Sequence, residues 1–124
     1  MIHLRCRSEF SFRRAFGRLG TIAEQCPGSV AGLADWSGTW GHVQWDRTMR
    51  AQGKRPVFGV ELEVIANLER AKHRGPSMAL LARNAQGLEE LYAAVTMAYS
   101  PDHYYFTPRL SYEDINTLTD NVVI

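Results

Sequence analysis

Cysteine is scarce in this sequence, which excludes a disulfide framework. Only Cys6 and Cys26 carry thiols among 124 residues, and no C-x-x-C pair occurs. So few thiols fit a reducing compartment, and a cytoplasmic location is the expectation. Long apolar runs are lacking too. None approaches the ~20 residues that a spanning helix needs, so no membrane association is expected. No secretory signal pattern precedes the first strand-like stretch. Neither sign of charge is in excess: 14 Lys and Arg meet 13 Asp and Glu, and the net of +1 gives no global pull toward nucleic acid or lipid. P-loop, dinucleotide and Ser-His-Asp patterns are absent, as are repeats and low-complexity segments, and no cofactor is expected. What is present is an ordinary globular composition, 45% apolar and 22% charged, at a length suited to one domain over residues 1–124.

The first stretch, His3 to Ser11, alternates like a strand. Ile2, Leu4 and Cys6 fall on one side and His3, Arg5 and Arg7 on the other. Phe12 to Cys26 follows with Phe12, Phe16, Leu19, Ala23 and Cys26 at helical spacing, weakened by Gly17 and Gly20 and stopped by Pro27-Gly28. Ser29–Trp36 reads as a second strand. A helix from Thr39 or Gly41 to about Gln52 carries Trp45 and Met49 as its buried stripe. Gly53 ends it, and Val57–Ile65 is the third strand. Asn67 to Ser77 reads as a hairpin-like or polar excursion. Ser77–Arg83 is the fourth strand, and Asn84 caps a helix whose stripe is Leu88, Leu91, Tyr92, Val95 and Tyr99. An aromatic loop, Pro101–Pro108, leads to a helix start at Ser111 and Asp114 and a fifth strand from Val122. This order predicts an α/β fold with a parallel sheet and outer helices.

Three blocks in this order resemble the PHP domain (polymerase and histidinol phosphatase) at the N-terminus of bacterial replicative DNA polymerase III alpha subunits. HLRCRSEFS at 3–11 is similar to H-L-H-x-H-S-x-[FY]-S. Residues 33–64 match L-T-D-H-x-N-x-x-G through G-x-E-[FL]-x-V, with Asp35, Pro56 and Glu61 in register. Residues 78–100 are similar to L-L-L-A-x-N-x-x-G through A-Y. The resemblance implies a partial PHP-type barrel, a distorted TIM-like (β/α)₇ fold of which this chain holds the N-terminal part. The family's later motifs lie beyond Ile124. The chain is thus expected to be a piece of a longer polymerase or a truncated remnant, of bacterial or phage type. Half a barrel leaves a sheet edge open, an edge that a homodimer or a partner would cover.

The departures bear on chemistry. In the family, the two later His of the first motif, an Asp after it, the His of T-D-H and the Glu of G-x-E contribute to a metal cluster. By resemblance those positions here are Arg5, Arg7, Arg14, Trp36 and Glu61. Arginine and the indole N–H only donate, whereas a divalent cation needs lone pairs from imidazole or carboxylate. The expectation is a fold without metal-dependent phosphoesterase or exonuclease activity.

Each candidate group admits a structural and a functional reading. Arg5 and Arg7 pair with Glu61, and with Asp35 in addition, or form a phosphate or nucleic-acid subsite, or lie exposed at an edge. Trp36, Trp40 and Trp45 fill the former metal pocket or stack on bases. His3, His42, His73 and His103 have no metal spacing, and His42 with Asp46 reads as a solvated i,i+4 pair. Arg47, Arg50, Lys54 and Arg55 suit a helix C-terminus and are available for phosphate. Tyr104, Tyr105 and Phe106 either fold over the core or anchor a partner. Function is expected in DNA replication, by binding replication proteins or mimicking the polymerase III alpha N-terminus. The alternatives are a divergent phosphoesterase or exonuclease using Glu61 and Asp35, and a DNA-binding module using Arg5, Arg7 and the tryptophans.

Overall fold

The computed structural model describes residues 1–69 and 74–124. His73 and part of the 67–77 excursion lie outside the described residues. The elements in chain order are β1 (His3–Cys6), α1 (Leu19–Gln25), β2 (Val30–Trp36), α2 (His42–Ala51), β3 (Arg55–Ile65), β4 (Ser77–Ala82), α3 (Ala85–Ala98), β5 (Arg109–Ser111), α4 (Tyr112–Asn116) and β6 (Val122–Val123).

β3 is the axis of the molecule. It pairs in parallel with β2 over residues 55–61 and with β5 over 63–65, where β2 has ended. The strand path β1-β2-β3-β4-β6 has free ends at β1 and β6, so the described sheet is not closed into a barrel.

The sheet is mixed, which corrects the expectation of parallel strands throughout. β4 runs antiparallel to β3, with Glu61 opposite Ala79, and β6 runs antiparallel to β4. The stretch between β3 and β4 is only about a dozen residues and holds no helix among its described residues. A parallel neighbour needs a crossover, usually helical, so the chain returns directly.

Two apolar clusters face the helices. Val60, Leu62 and Val64 of β3 pack with Leu80, Leu91, Ala94, Ala98, Leu110, Ile115 and Val122. Ala31 and Leu33 of β2 pack with Leu19, Ala23, Trp45 and Met49 from α1 and α2. Burying a residue the size of Leu62 contributes about 1.5–3 kcal/mol. The α3 stripe is rotated from its expected line: Gly87, Leu91, Ala94 and Ala98 are buried, while Tyr92 and Tyr99 are exposed. Gly87 has no room for a side chain, because a Cβ there would meet the Asn121 backbone. The capping residues act as their sequence suggests. Asn84 accepts from Gly87 N, and Ser111 and Asp114 form a capping box.

The first crossover is shorter than its spacing predicts. The helix begins only at Leu19, and Phe12 and Phe16 are 78% and 91% exposed. The reason lies in competing polar contacts. Ser8 and Ser11 are drawn to Asp35, and Glu9 bonds both Gly17 O and Leu19 N, so residues 8–18 are held as a loop. β1 is an edge strand with Ile2 and Leu4 exposed, and its backbone lies so close to β2 that a Cβ on Gly32 would sit 2.5 Å from Leu4 O.

Candidate site at the polar face of the sheet

Alternation along β3 puts Glu61 and Glu63 on the face opposite Val60, Leu62 and Val64. Both glutamates are buried. A buried carboxylate needs donors, and β1, β4 and the aromatic loop supply them.

Two arginines grip Glu61. Arg5 donates through Nε to Oε2 at 3.1 Å and through Nη2 to Oε1 at 2.5 Å. Arg7 donates through Nε to Oε2 at 2.8 Å and through Nη2 to Oε1 at 2.6 Å. Ser77 Oγ adds a third donor to Oε1 at 2.6 Å. The Arg5 side chain is 54% exposed, that of Arg7 28% and that of Glu61 0%. Burial pushes the Glu61 carboxyl up, but donation from Arg5, Arg7 and Ser77 outweighs it and holds the group at about 2. The Arg5 guanidinium is in turn raised by its bond to Glu61. Two guanidiniums against one carboxylate leave one net positive charge at the cluster.

Asp35 does not join the arginines. Its Oδ1 accepts from Ser8 N at 2.6 Å and Ser11 Oγ at 2.7 Å, and its Oδ2 from Ser8 Oγ at 2.7 Å. Glu63 accepts from Gly75 N and Thr107 Oγ1. Trp36 is the β2 neighbour of Glu61, and the Arg14 guanidinium lies 3.8 Å from its ring centroid. Thus Arg5, Arg7, Arg14, Trp36 and Glu61 gather at one place. Trp40 lies beside them in sequence but is exposed and packs over Gly38. Trp45 is fully buried in the cluster under β2 and belongs to the core.

The turn after β2 is strained: Ser37 has φ 67°, its N–H donates to Glu61 O and its carbonyl accepts from Tyr99 Oη. Tyr99 stacks on Tyr104, so the aromatic loop sits near the same end of the sheet. Tyr104, Tyr105 and Phe106 are all exposed, Tyr105 and Phe106 meet edge-to-face at 4.8 Å, and the Arg109 guanidinium lies 5.2 Å from the Tyr105 centroid.

His42 departs from its expected place. It is buried, with Nε2 2.8 Å from Gly59 O and Nδ1 3.3 Å from Tyr92 Oη. Burial lowers its pKa, opposed by the Gly59 bond. Asp46 instead pairs with Arg50 at 2.7 Å, which uses one cation of the basic patch on α2. A hydroxyl–imidazole–carboxylate series that sequence spacing did not disclose also forms. His103 Nδ1 lies 3.0 Å from Ser100 Oγ and Nε2 lies 3.1 Å from Asp114 Oδ2. Asp114 Oδ2 also accepts from Ser111 N and Oγ, so the series ties the aromatic loop to α4.

The donor set does not fit the metal cluster that the family resemblance implies. Both Glu61 oxygens and both Asp35 oxygens already accept short hydrogen bonds, and Arg5, Arg7, Arg14 and Trp36 have no lone pair to offer. Among the described residues no three His, Cys, Asp or Glu side chains converge.

Ser8, Ser11, Ser77, Glu63 and Thr107 were missed from sequence. The signal for the serines was their flanking of strand ends, where hydroxyls satisfy buried carboxylates. No local signal marked Thr107.

The PHP domain family matches residues 3–124, and the chain belongs to that family. Among curated proteins it is similar to the DNA polymerase III alpha subunits of Caulobacter vibrioides, 29% identical over 79% of this chain, and Campylobacter jejuni, 25% identical over 98%. That of Borreliella burgdorferi is 21% identical over 98%. The chain spans only 9–11% of these relatives' own length. No helix among the described residues is long and apolar enough to cross a membrane.

Proposed function

We propose that residues 1–124 form one non-catalytic PHP-like domain, the N-terminal part of a PHP barrel. In this reading it serves DNA replication in the cytoplasm, engaging replication proteins or standing in for the polymerase III alpha N-terminus. One observation carries the non-catalytic part: Arg5 and Arg7 close both oxygens of Glu61 at 2.5–3.1 Å. Guanidiniums supply the positive charge that a carboxylate in this position otherwise takes from a metal. The replication setting rests on the likeness to polymerase III alpha subunits. The exposed Tyr104, Tyr105 and Phe106 suit a partner contact, and the open β1 edge suits a second copy or a partner strand.

The test has two parts. The purified chain is titrated with Mn²⁺ and Zn²⁺ and assayed on single-stranded DNA and a phosphate monoester. No saturable binding and no metal-dependent hydrolysis are expected; stoichiometric binding with turnover would overturn the non-catalytic reading. A tagged pull-down from the source cells then reads the partners. Recovery of polymerase, clamp or proofreading subunits is expected, and recovery of the chain alone counts against the replication module.

A second reading is supported by the net positive charge at the cluster and the half-exposed Arg5. There the same face contacts nucleic-acid phosphate, with Trp36 and Trp40 alongside. DNA affinity that falls steeply with salt, and flattens in Arg5→Ala, is its signature.

A further inference from the structure

Cys6 lies between the two arginines that hold Glu61, and its Sγ is 3.6 Å from that of Cys26. Cys6 belongs to β1, and Cys26 is the C-cap of α1, immediately before the turn into β2. Both are free thiols, Cys6 half-buried and Cys26 buried. We propose that Cys6 and Cys26 form a redox latch, a thiol pair that closes into a disulfide and locks the arginine-bearing edge strand to the body of the fold.

The need for a latch comes from how weakly β1 is otherwise held. It is four residues long, pairs among the described residues on one side only, and its register with β2 shifts between His3 and Cys6. Ile2 and Leu4 are about half exposed. The arginine contacts to Glu61 join the pairing with β2 and the Ser8 bonds to Asp35 in tying this strand to the sheet. The partner thiol sits on a firm base. The Cys26 backbone N–H donates to Ile22 O, and its carbonyl accepts from Lys54 Nζ at 2.9 Å. A sulfur–sulfur separation of 3.6 Å puts the two thiols in contact, within about 1.6 Å of the ~2.05 Å of a disulfide.

Burial and contact with Cys26 push the Cys6 thiol up to about 12, so Cys6 rests as a thiol and not as a reactive thiolate. Closure therefore needs an oxidant, and a small-molecule disulfide such as oxidised glutathione is the class proposed. One protein thiol loses its proton, attacks a glutathione sulfur and releases a first glutathione thiolate. The second protein thiol then attacks the protein sulfur of that mixed disulfide and releases the second. The protein loses two protons and two electrons, and the two glutathione molecules leave reduced.

The full chain is incubated with excess oxidised glutathione or with dithiothreitol, then read by intact mass, peptide mapping, thiol titration and thermal unfolding. Oxidation is expected to remove both thiols and lower the monomer mass by two hydrogens, with the peptides holding Cys6 and Cys26 joined. The Tm rises by about 5 °C or more, and dithiothreitol reverses it. Backbone amide exchange at Arg5–Arg7 slows in step, and Cys6→Ser and Cys26→Ser each abolish both changes. Two intact thiols after prolonged oxidation, a stable glutathione adduct, or a disulfide-linked dimer would each overturn the latch. So would an internal bond that leaves Tm and exchange at β1 unchanged.

Discussion

On one face of β3, Val60, Leu62 and Val64 lie against α3; on the other, Glu61 and Glu63 lie against Arg5, Arg7, Ser77 and Thr107. Residues of both faces are fully or almost fully buried. The first face is held by removal of apolar surface from water, a term that tolerates small errors of position. The second is held only while every buried acceptor keeps its donor, since an orphaned carboxylate loses its solvation with nothing in return. Adjacent residues of one strand therefore differ in how they fail: the apolar face weakens in proportion to what is removed, and the polar face according to which partner leaves, most when the buried carboxylate goes and least when a half-exposed arginine does.

The largest effect is expected on the apolar face. Leu62→Ala leaves a cavity under α3 and lowers stability by about 3 kcal/mol in chemical denaturation. Glu61→Ala comes next, at about 2–3 kcal/mol, because it strands two guanidiniums, one of them half able to return to water. The comparison sharpens if Glu61, Arg5 and Arg7 are replaced together by methionine and leucine. Stability then recovers to within about 1 kcal/mol of the parent, because an apolar cluster of similar volume substitutes for a buried ionic one. A triple variant as weak as Glu61→Ala would show that the charges themselves are needed.

Acid probes the same contrast. A carboxylate whose pKa is lower in the folded chain than in the unfolded one stabilises the fold above its unfolded value. That contribution is lost as pH falls toward the folded value. For Glu61 the window runs from its ordinary 4.5 down to about 2. About 2 kcal/mol is expected to disappear across it, after allowing for water around Arg5. Glu61→Gln removes this part of the pH dependence, while Leu62→Ala leaves its slope intact. The smallest effects belong to the single arginines. Arg7→Ala costs about 1–2 kcal/mol and Arg5→Ala below about 1 kcal/mol, in the order of their exposure, read by urea unfolding.

Legibility in the sequence divides along the same line. The apolar face is written in local periodicity, and β3, Trp45 and Met49 follow from it, while the caps at Asn84 and Ser111 follow from residue type next to the helix start. The polar face is written in pairs far apart in the chain. Arg5 and Glu61 are 56 residues apart, and only the family resemblance linked them. Asp35 pairs with Val60, on the face away from Glu61, where Ser8 and Ser11 bond it and the loop they hold shortens α1, which helical spacing alone did not foretell. The antiparallel return of β4 is only one of two readings of residues 67–77, hairpin-like or polar excursion, because the length of the connection and not its residues decides the direction. In sequence His42 reads as solvated because Asp46 lies one turn away, whereas its partner Gly59 is on β3.

The central claim is that Glu61 is a buried, ionised carboxylate held by Arg5 and Arg7. The most direct measurement is the pH titration of its side-chain carboxyl by NMR, assigned with Glu61→Gln. A midpoint at about 2 is the result this account predicts. A midpoint at or above the ordinary 4.5 would contradict it, because the arginines would then not be holding the carboxylate in its charged form.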